Sequence, residues 1–193
     1  MPKKKAILLA AQETFGEHGY AGTTMKMVAE RADVGFGLVA HYFQNKENLF
    51  MTAGFEMINT MLETIAPDLD TAKTGLDAVS TFVKSYLQFT LNNRKTFAIL
   101  IRCSPFSDDN PTLDRKRIAA KFKELIQTIQ KAIQRGIDDT SIIELPAEET
   151  AFMIYANIVG AVRTVFLTPY ELPGLYGETH NFIIRSIARR APR

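Results

Sequence analysis

The chain has no tryptophan and a single cysteine among its 193 residues. One cysteine closes no disulfide within the chain and builds no thiolate metal centre. That usage suits a reducing compartment, and a cytoplasmic location is expected. Histidine is also scarce. His18, His41 and His180 lie in three separate segments, with no HExxH or comparable ligand spacing. A G-x-S-x-G elbow, a phosphate-binding loop and a dinucleotide fingerprint are missing too. Neither catalysis, nor a cofactor, nor a metal site is therefore expected. No uninterrupted apolar run approaches the ~18 residues of a membrane helix, so no membrane association is expected. The apolar stretch after Lys3-Lys4-Lys5 stops at Gln12 and Glu13, which fits a first helix better than a leader. Charge of neither sign dominates: 23 Lys and Arg face 21 Asp and Glu, for a net charge of +2. Residues 1–50 are nearly neutral as well, so overall charge does not argue for a polyanionic partner.

What is present is helical periodicity. Ile7, Leu8, Ala11 and Phe15 share one face of a first helix, stopped at His18-Gly19. Thr24 is placed to cap a second helix that buries Met25, Val28, Ala29 and Ala32, without the acidic residue of a capping box. Asp33-Val34-Gly35 makes a turn into a third short helix over 35–43, with Val39 and Phe43 as its buried pair. Asn45 caps a fourth helix over about 46–65, apolar around most of its girth and ended by Pro67. Further helices are expected near 74–92, in "KTFAILIRCSPF" up to Pro105, and from Pro111 past the loop "SDDNP" to Gly136. The last two start at Pro146 and after "TPYELPGLYGE", with Arg185, Arg189 and Arg190 at the C-terminal end. No sustained period of two, repeat or low-complexity tract is present. The expected fold class is all-α, with about nine helices.

Two short helices joined by a tight turn and braced by a preceding helix form a helix-turn-helix arrangement. The second of them is nearly uncharged and holds two glycines, which cost a helix ~1 kcal/mol each. A backbone that approaches a groove closely is one reason to keep them.

Residues 20–50, "YAGTTMKMVAERADVGFGLVAHYFQNKENLF", resemble the DNA-binding head of the tetracycline-repressor family of bacterial transcriptional regulators. The matching features run from Phe15 and Gly19-Tyr20 through Thr23-Thr24, Val28-Ala29, Ala32 and Val34. They continue with Gly37, His41-Tyr42-Phe43, Lys46-Glu47 and Leu49. The resemblance implies a DNA-binding domain over 1–46, with its motif at 24–43, and a ligand-binding and dimerisation domain over 47–193. It implies phosphate contacts by Thr24, Tyr42 and Lys46, a phosphate- or base-facing His41, and a groove-facing Gly35, Phe36, Gly37 and Leu38. Where relatives often carry Ser or Thr, Lys, Thr and Tyr, this chain has Gly35, Phe36, Leu38 and Ala40. Hydrogen-bonding capacity is lost at all four. Specificity is then expected from apolar contact of Phe36 or Leu38 with thymine methyls and from DNA shape. Attraction to DNA falls to Lys26, Lys46 and a flexible Lys3-Lys4-Lys5 arm.

For the body, the resemblance implies a small-molecule effector and a homodimer through helices eight and nine. Polar groups on otherwise apolar faces are the candidate ligand contacts: Asn59, Gln88, Arg102, Tyr155 and Asn157, with Met61 as an adaptable neighbour. Arg102 reads either as a partner for an anionic effector such as a carboxylate or as half of a surface ion pair, Arg163 shares that ambiguity, and Cys103 reads either as a redox sensor or as a small hydrophobe. Ala156, Gly160 and Ala161 on helix eight, with Phe182, Ile183 and Ile187 on helix nine, suit close helix approach. The implied function is a regulator, of which repression is the family's commoner mode, that binds a palindromic DNA operator as a dimer and is released by its effector. The alternative is a DNA-binding protein of the same fold controlled by a macromolecular partner.

Overall fold

A computed structural model describes residues 2–102 and 113–189. Cys103, Pro105, Pro111 and Arg190 lie outside the described residues. Among the described residues there are nine helices: α1 (Lys3–Gly22), α2 (Met25–Arg31), α3 (Phe36–Phe43), α4 (Lys46–Asp70), α5 (Gly75–Asn92), α6 (Arg94–Arg102), α7 (Arg115–Asp138), α8 (Ala147–Leu167) and α9 (Leu175–Ile187). The all-α expectation holds. Two compact units divide the chain: residues 1–60 with 93–121, and residues 61–92 with 122–193.

In the first unit Ile7, Leu8, Ala11 and Phe15 are buried as their spacing requires. Phe15 meets Tyr20 in a stacked pair and Phe50 edge-on, with ring centroids 5.9 and 5.1 Å apart. Such aromatic pairs contribute ~0.5–1.5 kcal/mol beyond area burial. Gly16 lets α1 meet α6 closely, since a Cβ there would lie 2.8 Å from the Lys95 carbonyl oxygen. The buried Gln12 amide donates to the Ala53 carbonyl at 3.0 Å, which fastens α1 to α4.

Two expectations need correction here. Lys3, Lys4 and Lys5 are not a flexible arm but the first turn of α1. Three cations at a helix N-terminus oppose the macrodipole, so the turn stands through the burial of Ile7 and Leu8 that follows it. Pro67 does not end α4, which runs one turn further to Asp70. A proline that close to the C-terminus removes one N–H without uncoupling the turns before it.

The second unit is built from α5, α8 and α9 with the adjoining parts of α4 and α7. Phe82 and Val83 on α5, Leu125, Ile129 and Ile133 on α7, and Ile158 and Val162 on α8 are fully buried. α5 and α7 come into backbone contact where Gly75 faces Gly136, and α7 continues through Gly136 to Asp138 instead of stopping before it. The Gly75 N–H donates to an Asp139 carboxylate oxygen at 2.7 Å, and the Ser141 N–H to the other at 3.0 Å. The Ser141 side chain first, and then Gly75, hold the Asp139 carboxyl below its ordinary value of 3.8. A depressed carboxyl stabilises the fold above its unfolded value, and that contribution disappears as pH falls through the folded value. Asp139→Asn is therefore expected to lower the urea midpoint at pH 7, with the gap to wild type closing below pH 3.8. A gap that stayed constant down to pH 2.5 would contradict this.

The α8 helix, 21 residues long, is apolar enough by length and composition to cross a membrane, and only 28% of its apolar 18-residue stretch is buried inside the chain. A reading based on uninterrupted runs passes over it, because Arg163 interrupts the sequence. Its buried side, through Ala151, Ile154 and Ile158, is part of the unit's core. Phe152, Met153 and Phe182 on α8 and α9 stay 49, 66 and 55% exposed. Ala156 and Gly160 are exposed as well, whereas Ala161, Ile183 and Ile187 are buried within the chain itself.

Candidate nucleic-acid interface

The α2–α3 pair is assembled by local hydrogen bonds that the residue types dictate. Thr24, extended at φ −118° and ψ 155°, accepts the Met27 N–H at 3.2 Å. A cap of this kind contributes ~1 kcal/mol, and the hydroxyl proton remains available as a donor. At the other end, Asp33 takes the left-handed conformation at φ 52°. Its N–H bonds the Glu30 carbonyl and the Val34 N–H bonds the Ala29 carbonyl, at 3.2 and 3.0 Å. That is a Schellman closure with aspartate where glycine is commoner. Gly35 is thus not the turn's left-handed residue. It is the extended N-cap of α3, at φ −66° and ψ 141°.

α3 buries Val39 and Phe43, four residues apart. Gly37 and His41, also four apart, are exposed. A Cβ added at Gly35 or Gly37 would meet nothing within 4 Å, so both glycines face open space. Phe36 is 53% exposed and Tyr42 41%, while Leu38 is half-buried. His41 and Tyr42 pack edge to face with centroids 5.6 Å apart. The helix therefore presents Gly35, Phe36, Gly37, His41 and Tyr42 outward and keeps its two large aliphatic and aromatic anchors inside.

The cations are more constrained than their sequence positions suggest. Lys26 is exposed and pairs with Glu30 at 3.9 Å, an arrangement of little net energy. The Lys46 ammonium donates to the Tyr20 and Thr23 carbonyls, both at 3.0 Å, and sits 4.4 Å from the centre of the Tyr20 ring. Tyr20 in turn donates to Glu47 at 3.1 Å. Lys46 and Glu47 thereby lock the end of α1 to the start of α4, where Asn45 accepts the Asn48 N–H at 2.8 Å. Two of the three ammonium protons are engaged, so at most one is left for a phosphate. This structural use of Lys46 was not legible in the sequence, because both acceptors are backbone carbonyls more than twenty residues upstream. Arg31 pairs with Glu17, and the Arg31 guanidinium holds the Glu17 carboxyl below its usual range.

The candidate ligand residues differ in exposure and in partners. Gln88, Arg102 and Asn157 are exposed, and so is Arg163. Gln88 donates to Asn92 and Asn157 to the Met153 carbonyl, each at 2.8 Å. Met61 is fully buried and Asn59 half-buried. Tyr155 packs against Tyr86 and Phe122, with centroids 6.5 and 6.4 Å away. Burial pushes both phenols, Tyr86 and Tyr155, above the usual tyrosine range. They stay protonated at neutral pH and act as a hydrogen-bonded core pair. Of the six candidates, Gln88 lines a groove of about 660 Å³ between α5 and α9, together with Lys84, Leu91, Tyr176, His180 and Asn181. There the Ser80 hydroxyl meets His180 Nε2 at 2.8 Å. The sequence offered no sign of this groove, since its two walls are about ninety residues apart.

Comparison with known proteins agrees with this geometry. The family described as bacterial regulatory proteins, tetR family, matches residues 7–52, which contain the whole α2–α3 motif. The HTH-type transcriptional regulator YhgD of Bacillus subtilis is 31% identical over 153 residues, 79% of this chain and 78% of that protein. Two solved structures share the fold. One is the transcriptional regulator FadR of Bacillus subtilis in complex with stearoyl-CoA, with a TM-score of 0.81 at 21% identity, covering 94% of this chain and 97% of that one. The other is the fatty acid degradation regulator FadR of Bacillus halodurans, with a TM-score of 0.84 at 20% identity and 95% of each chain covered. The match over the helix-turn-helix, with the length and identity of the YhgD alignment, places this chain in the tetR family of bacterial regulatory proteins.

Proposed function

We propose that the chain is a cytoplasmic, dimeric transcriptional repressor that binds a palindromic operator and is released by a small-molecule effector. The observation that carries the reading is the outward face of α3. A solvent-exposed helix start with two glycines and a half-exposed phenylalanine is costly in a protein with nothing to place against it. Residues 1–46 are assigned to DNA binding and residues 47–193 to effector binding and dimerisation. Thr24, Tyr42 and His41 supply polar contacts at the two ends of the α2–α3 face, and Lys26 supplies unspecific attraction.

The uncovered apolar face of α8 and α9 supports the dimer, which lets two α3 helices engage two half-sites at once. A repressor of this kind needs an effector that binds the DNA-incompetent state more tightly than the competent one. FadR of Bacillus subtilis holds stearoyl-CoA, so long-chain acyl-CoA is the first probe to apply, followed by a metabolite library. The test has two arms. Sequence-specific binding is expected from the full chain, and a stabilising effector is expected to raise the thermal midpoint and weaken DNA binding at fixed salt. Specific binding with no stabilising small molecule would favour control by a macromolecular partner. A stabilising ligand that left DNA affinity unchanged would remove the switch from the account.

A further inference from the structure

The geometry points to Phe36 as the side chain that reads operator sequence, by packing on the C5-methyl of a thymine in the major groove. This rests on the DNA-binding reading above and names the chemistry of its specificity. N-terminal residues of a recognition helix are the ones that reach base edges. At that end of α3, Gly35 and Gly37 contribute no side chain, Leu38 is half-buried, and Phe36 stands 53% exposed between the glycines. His41 is five residues on, ~7.5 Å further along the helix axis, so it faces a different base pair.

The bidentate hydrogen-bonding code of the major groove is closed to this helix. Bidentate readout of guanine needs Arg or Lys, and of adenine Asn or Gln. Phe36–Phe43 contains none of the four. The nearest cations lie outside α3: Lys26 is on α2 beside Glu30, and Lys46 is held on two carbonyls. The one apolar mark that the major groove offers is the thymine methyl. A half-exposed phenylalanine is the complementary surface, and the flanking glycines let its backbone come close enough for contact. Leu38, the other apolar candidate, has too little free surface to compete.

The test uses the full chain throughout. Selection from random duplexes yields an operator, and each thymine of that operator is then replaced by uracil, which removes the methyl and nothing else. One thymine in each half-site is expected to be sensitive. Uracil there in both half-sites should weaken wild-type binding about fifteenfold, the product of about fourfold for each buried methyl. Phe36→Ala should bind the thymine and uracil duplexes equally. Phe36→Leu should keep most of the discrimination. Because Phe36 is half-exposed, the thermal midpoints of both variants are expected to match wild type, which separates readout from folding. Wild type that binds every uracil duplex as tightly as its parent overturns the inference, as does Phe36→Ala with undiminished discrimination. In either case the selected operator leaves the DNA-binding reading standing. Selection that enriches no sequence overturns both.

Discussion

Gly75→Ala is expected to lower the unfolding midpoint by about 6–12 °C, the response of a chain this size to the loss of ~3 kcal/mol. The substitution adds one methyl group, and two effects compete. Alanine gains up to ~1 kcal/mol over glycine in a helix interior, less at Gly75 because it is the first residue of α5. Against this, the added Cβ would lie 2.0 Å from the Gly136 nitrogen, 2.2 Å from its Cα and 2.6 Å from the Ala132 carbonyl oxygen. All three are backbone atoms of α7, and no rotamer change can move them. The α5–α7 contact has to open, and the hydrogen bond from the Gly75 N–H to Asp139 opens with it. Gly177→Ala is the control, since that exposed glycine in α9 has nothing within 4 Å of a new Cβ; there alanine should stabilise by ~0.5–1 kcal/mol. Calorimetry that finds Gly75→Ala at the wild-type midpoint would show that the two backbones are not in contact.

Met153→Glu combined with Phe182→Glu is expected to convert the proposed dimer to a monomer and to weaken operator binding by ~10²-fold or more. The side chains replaced are 66 and 55% exposed, so the individual chain loses little packing and its fold should persist. An exposed apolar face of this kind marks an interaction surface. In a two-fold assembly each glutamate is duplicated, and like charges at a desolvated contact cost several kcal/mol. Light scattering gives the mass, and fluorescence anisotropy with a labelled operator gives the affinity. A double variant that stays dimeric and binds as wild type would show that α8 and α9 do not form the interface.

Much of the fold could be read from the residues, because helix starts and buried faces are local properties. Thr24 and Asn45 cap where their side chains predict, Val39 and Phe43 are buried four residues apart, and Val28 and Ala29 are buried as expected. What the residues hid depends on partners distant in sequence. Lys46 reads as a free cation until two carbonyls from the end of α1 are placed beside it. Gly136 reads as a helix stop and nothing in the sequence singles out Gly75, yet the two mark a crossing point of two backbones. The polar residues Gln88 and Asn157 read as groups inside apolar faces, but both are exposed beside buried neighbours. Tyr155 is the converse case, its hydroxyl matched by Tyr86 from another helix.

On the proposed function, the outward face of α3 distinguishes one DNA sequence from another. This is tested most directly by the ratio of affinities for the selected operator and a scrambled duplex of equal length and composition, measured at one fixed salt concentration near 150 mM. A ratio of ~10³ or more is predicted for the full chain. Equal affinities would contradict the account.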